Sequence, residues 1–231
     1  MRLLLVPALV VASAVSLLAP PLAAQPADSL AFRGLDWRMV GPYRGGRSSA
    51  VWGFIGDSDR CIMGTTGGGI WQTDDNGVTW TNISDGWFGG SIGAVAVADA
   101  DPNVIYVGQG SADIRGNTST GRGVWKSLDR GRTWTFMGLP DAGQIGRIEV
   151  HPRDPDLVYV AALGHPFGKN PERGIFRSAD GGETWQHVLA LNDSTGASDL
   201  SMDRTNPRIL YAGMWRGERK PWAMISGAEE G

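Results

Sequence analysis

Three stretches of the 231-residue chain gather side chains able to grip a ligand or move a proton. Gln109–Gly121 carries Asp113, Arg115 and Asn117, while Gly164–Arg173 carries His165, Lys169, Asn170 and Arg173. Trp215–Trp222 opens on Trp215 and Arg216 and closes on Trp222, and Arg44 and Arg47 add two guanidinium groups nearer the start. Arginine forks match carboxylates through paired hydrogen bonds, and aromatic faces stack on sugar rings or cations, so acidic glycans and peptides both suit this set. Cleavage of a glycosidic bond asks instead for two carboxyl groups facing one bond, and Asp113 and Glu149 are the acids to test for it. His165 stands beside Pro166 and His151 beside Pro152, settings in which a histidine more often fixes a loop or turn than acts as a base.

A repeat positions these residues. Thr73–Trp80, Ser127–Trp134 and Ser178–Trp185 share the pattern Ser/Thr-x-Asp-x-Gly-x-Thr-Trp, with Asp75, Asp129 and Asp180 spaced 54 and then 51 residues apart. In a tight turn an aspartate accepts hydrogen bonds from backbone N–H groups a residue or two further on, while Gly77, Gly131 and Gly182 supply the positive φ that other residues resist. The hydroxyls of Thr73, Ser127 and Ser178 add local bonds, and Trp80, Trp134 and Trp185 are expected to lay a large face on the neighbouring sheet. Carboxylates recurring identically at the end of every hairpin read as structural rather than catalytic.

Other features keep the same phase. Tyr106, Tyr159 and Tyr211 each lie in an apolar strand that follows a proline turn, and a further strand precedes each turn. The order is strand a, proline turn, strand b, loop, strand c, box, strand d. Four short antiparallel strands in each period of about 50 residues predict an all-β fold, a β-propeller of four-stranded blades. The blades are expected near 46–90, 91–143 and 144–196, with an incomplete one over 197–231, about three and a half in all. If strand a is innermost, the b–c and d–a loops share one face, and the long, variable b–c loops make it the binding face. Arg47, Arg147 and Asp199 occupy matching positions near the start of strand a, either at the central mouth or as salt-bridge partners between blades.

Residues 1–24 read as a secretory signal peptide: Arg2, an apolar run over Leu3–Leu18, then small residues up to Ala24. Residues 25–45 form a lead-in, and the mature chain is expected to be secreted or periplasmic, with no membrane span. Near-neutral charge, 21 basic against 24 acidic side chains, lacks the footprint of a nucleic-acid binder. Cys61 is the single cysteine, so neither an intrachain disulfide nor a cysteine-based metal site is expected. No cofactor or metal is expected.

The boxes, together with Arg38–Pro42, Gly45–Arg47, Gly121–Ser127 and Asn206–Tyr211, resemble the Asp-box (BNR) β-propellers, more narrowly the sortilin N-terminal-like propellers of secreted bacterial proteins labelled as glycosyl hydrolases. The resemblance covers residues 36–231. It implies a propeller that binds a glycan or a protein, or a glycoside hydrolase of xyloglucanase or sialidase type. Against the second, the xyloglucan-degrading hydrolases carry an early Thr-Asp-x-Gly-Gly segment with a catalytic aspartate, where this chain has Thr65–Gly69 without the acid. Arg44 or Arg47 could mimic the first arginine of a sialidase triad, yet no Phe/Tyr-Arg-Ile-Pro motif surrounds them. A binding or assembly module is the favoured expectation. Propellers close with four to eight blades, so the remaining blades are expected from a missing C-terminal part or from another chain.

Overall fold

The computed structural model describes residues 46–227, which form strands, turns and loops with no helix. The expected leader at 1–24, the lead-in with Arg44, and residues 228–231 lie outside the described residues.

Strands β1 (Ser48–Phe54), β2 (Asp57–Gly67), β3 (Ile70–Thr73) and β4 (Thr81–Asn82) pair antiparallel in chain order as the first blade. The second is β5 (Gly90–Val97), β6 (Ile105–Gln109), β7 (Val124–Ser127) and β8 (Thr135–Phe136). The third is β9 (Gln144–His151), β10 (Asp154–Gly164), β11 (Gly174–Ser178) and β12 (Gln186–Leu189). β13 (Gly196–Met202) and β14 (Leu210–Trp215) form the inner half of a fourth. The architecture is a partial β-propeller. One departure concerns Trp215–Trp222: part of the stretch read as a b–c loop folds into a hairpin of β15 (Gly217–Arg219) and β16 (Met224–Ser226).

The second blade shows why the apolar runs are continuous. One face of it, Val95, Val97, Ile105 and Val107, packs on Phe54, Ile62 and Ile70 of the first blade. The other, Ala94, Ala96 and Tyr106, packs on Ile148, Val150, Val158 and Val160 of the third. A sheet covered on both faces needs apolar side chains at successive positions, not alternate ones, and each Val, Ile or Phe among them contributes about 1.5–3 kcal/mol on full burial. The innermost strands approach so closely that a Cβ on Gly93 would stand 2.0 Å from the Ile145 carbonyl oxygen, and one on Gly146 2.2 Å from that of Ser198.

Each box is closed by its own side chains. The Asp75, Asp129 and Asp180 carboxylates accept the backbone N–H of Thr79, Thr133 and Thr184 at 2.8–2.9 Å and the hydroxyls of the same threonines. The reach is therefore four residues, longer than the one or two expected, because two consecutive left-handed residues first reverse the chain: Asn76–Gly77, Arg130–Gly131 and Gly181–Gly182. The hydroxyls of Thr73, Ser127 and Ser178 accept the N–H of those second glycines at 2.7–2.8 Å. The threonine hydroxyl bond, the largest influence, holds all three carboxyl groups below the ordinary range, Asp180 at about 2.

The boxes also join blades. The Trp134 indole N–H donates to the Ile83 carbonyl of the preceding blade at 2.8 Å, and that of Trp185 to the Met137 carbonyl at 2.6 Å. Trp80, in the first described blade, donates within its own turn to Gly77. In the opposite direction, the Tyr106 hydroxyl donates to the Pro155 carbonyl of the following blade at 2.8 Å. Tyr106 is fully buried, whereas Tyr211, its counterpart on β14, is 68% exposed.

Candidate ligand-binding face

The loop between β6 and β7 is built from behind. Gly110, at φ 93°, turns the chain out of β6, and its N–H donates to the Ser91 carbonyl at 2.8 Å. Gln144, fully buried at the start of β9, then clamps both ends of the excursion. Its Oε1 accepts the Ser111 N–H, and its Nε2 donates to the Ser119 carbonyl at 3.0 Å. Within the loop, the Asp113 N–H donates to Ser111 Oγ and the Arg115 N–H to Thr118 Oγ1. The result is a fixed turn with Asp113, Arg115 and Asn117 exposed.

That turn walls a groove of about 420 Å³ whose other side holds Arg47, Thr66 and Ser91. The structure thus brings together four residues singled out in the sequence: Arg47, Asp113, Arg115 and Asn117. Gln144, Ser91 and Ser111 escaped that reading. Gln144 and Ser91 precede the repeated Ile-Gly pairs at 145–146 and 92–93, and that shared position was the available signal.

The loop between β10 and β11 is differently made. Arg173 is 1% exposed, and its guanidinium donates to the carbonyls of Leu163 at 2.7 Å, Gly168 at 2.8 Å and His165. Burial, opposed by nearby Glu218 and Asp193, pulls its pKa down. Asn170 Oδ1 accepts the His165 N–H at 2.8 Å, and His165 Nδ1 accepts the Phe167 N–H at 3.1 Å. Arg173, Asn170 and His165 therefore fasten the loop, with the Arg173 guanidinium turned inward rather than to solvent. His151 likewise accepts the Arg153 N–H inside its turn. Lys169 remains at the surface, 3.3 Å from Asp193.

The β15–β16 hairpin lies over these loops. The Arg219 N–H donates to the Pro166 carbonyl, and the Arg219 side chain packs so near Gly116 that a Cβ there would stand 3.3 Å from its Nη2. Trp215 donates its indole N–H to Ser226 Oγ at 3.0 Å. Together with Arg216, Lys169, Asn192 and Thr195 it lines a wider hollow of about 830 Å³, while Trp222 is 82% exposed in the turn between β15 and β16.

The two candidate acids do not meet in the groove. Glu149 is 4% exposed on β9, with Arg147 Nε 3.2 Å from its Oε1. Burial raises its pKa, and Arg147 opposes the rise. Of the matched trio at the start of strand a, Arg47 lines the groove and Arg147 a smaller hollow with Ser48 and Gly93. Arg147 makes its ion pair within its own strand, not across blades. Among the described residues no helix is long and apolar enough to cross a membrane.

Blades closed by Ser/Thr-x-Asp-x-Gly-x-Thr-Trp turns, with a groove among their b–c loops, define a propeller of the sortilin-like and glycosyl-hydrolase-like kind. The sequence profile described as sortilin, neurotensin receptor 3 (Sortilin-Vps10) matches residues 68–214, and the chain belongs to that family. It is 29% identical over 140 residues to a xyloglucanase of Hypocrea jecorina, a match covering 54% of this chain and 15% of that protein. It is also 29% identical over 120 residues to vacuolar protein sorting/targeting protein 10 of Sordaria macrospora, covering 50% of this chain and 7% of that one. Among solved structures, the GH74 xyloglucanase of Xanthomonas campestris superposes with a TM-score of 0.58 at 21% identity, over 84% of this chain and 32% of that one. The chain thus spans a minor share of the length of each.

Proposed function

We propose that the protein is an exported binding or assembly module that takes a glycan or protein ligand on its b–c and d–a loop face. The observation that carries the reading is the groove in which Arg47, Asp113, Arg115 and Asn117 converge on a loop already clamped by Gln144. A clamped loop loses little conformational freedom on binding, so more of the contact energy appears as affinity. Saturable binding without turnover, measured by calorimetry against xyloglucan and against an acidic peptide library, is the expected behaviour. Arg115→Ala and Trp215→Ala should each weaken it, and unchanged affinity in both would show that another face is used.

A second reading, a glycoside hydrolase, is favoured by the likeness to xyloglucanases. Among the described acids only Asp113 lines the groove, whereas hydrolysis by the usual route uses two carboxyl groups. Release of reducing sugar from xyloglucan, abolished by Asp113→Ala, would decide for the enzyme. Turnover unchanged in both Asp113→Ala and Glu149→Ala would remove those two assignments.

A further inference from the structure

We infer that the groove beside Arg47 and Arg115 binds a uronate-bearing glycan, its sugar carboxylates held by the two guanidinium groups; this rests on the glycan reading of the loop face. Among the described residues lining the groove, every one but Gly46 carries a hydroxyl, amide or charged group in its side chain. Peptide-binding grooves draw on apolar pockets for alternate or spaced side chains, and no large apolar side chain stands among these described residues. It presents hydroxyl and amide groups instead, from Thr66, Ser91, Ser111, Asn117 and Ser119, which suit a ligand covered in hydroxyls.

Charge narrows the class. Arg47 and Arg115 are exposed, and among the described residues neither guanidinium has a hydrogen-bond or ion-pair partner. Among the described residues of the lining Asp113 is the single acid beside two arginines, so together they are net positive although the whole chain carries a formal charge of −3. A neutral polysaccharide would leave both forks without an anionic partner, whereas a planar carboxylate accepts two parallel N–H bonds from such a fork. Asp113 is then left to accept hydrogen bonds from sugar hydroxyls. Arg219, packed behind Gly116, adds positive charge on the far side of the same turn. The volume, about 420 Å³, falls within the ~300–1,000 Å³ of small-ligand sites.

The test is affinity electrophoresis of the 231-residue chain through gels holding polygalacturonate, its fully methyl-esterified form, or xyloglucan. The inference expects retardation by polygalacturonate that disappears on esterification. It also expects affinity to fall about tenfold or more in Arg47→Gln and in Arg115→Gln, the loss expected for one charged hydrogen-bonding partner. Arg153→Gln, an exposed charge in the turn between β9 and β10, should leave retardation unchanged, and thermal midpoints should show that all three variants fold. Equal retardation by the esterified polymer or by xyloglucan overturns the uronate inference and leaves glycan binding standing. An equal loss in Arg153→Gln also overturns it, since the attraction would then be general electrostatics. No retardation by any of the three polymers overturns the inference and the glycan reading together.

Discussion

A box aspartate does its work as an anion. The Asp180 carboxylate accepts the Thr184 N–H and hydroxyl, and its folded pKa of about 2 lies below the ordinary 3.8. A group whose pKa is depressed by folding stabilises the fold fully above its unfolded value and loses that contribution as pH falls through the folded one. Asp180 should therefore produce an acid limb between about pH 4 and about pH 2 in urea-unfolding midpoints, and Asp75 and Asp129, whose pKa values are lowered in the same direction, should add to the loss of stability on acidification. Asp180→Asn, which keeps an acceptor but cannot titrate, should flatten its share of that limb while lowering the midpoint at neutral pH. A limb of unchanged depth in the variant would assign the acid sensitivity to other carboxylates. The boxes were legible because the bonds of their Asp and Ser/Thr side chains are local, each running between residues at most four apart. Gln144 was not legible, since its two partners lie 33 and 25 residues away.

At the level of elements, the closing tryptophans divide into two kinds. Trp134 is 3% exposed and, like Trp185, bonds the blade before it, whereas Trp80 bonds its own turn. Trp134→Phe and Trp185→Phe should each cost about 1–2 kcal/mol by chemical denaturation, from one half-buried hydrogen bond and imperfect repacking. Trp80→Phe should cost clearly less, and equal losses at all three positions would mean that the indole bonds between blades contribute nothing. The strand order and proline turns could be read from phase alone, because each blade repeats one pattern. The β15–β16 hairpin could not, since it occurs in one blade only and is set by contacts to Pro166 and Gly116 in other loops.

Across the molecule, the sequence carried the architecture and pointed to four of the residues that line the groove, yet it could not separate Arg173 from Arg115. Both are arginines in b–c loops, and burial alone turns one into a loop fastener and leaves the other facing solvent. The indole bonds that point backwards and the phenol bond that points forwards have a further consequence. Blades coupled only to their nearest neighbours behave as a one-dimensional cooperative array, in which a unit flanked on both sides opens more rarely than one flanked on one. Amide hydrogen exchange should accordingly be slowest in β5, β6 and β9 and fastest in β13 and β14, with protection fading unit by unit from the middle. Uniform protection across all of them would mean that the array opens as one. If the gradient holds, the groove, whose mobile-looking turn is pinned from β9, sits on the slowest-opening part of the chain. Its shape would then outlast the unzipping of the outer sheet.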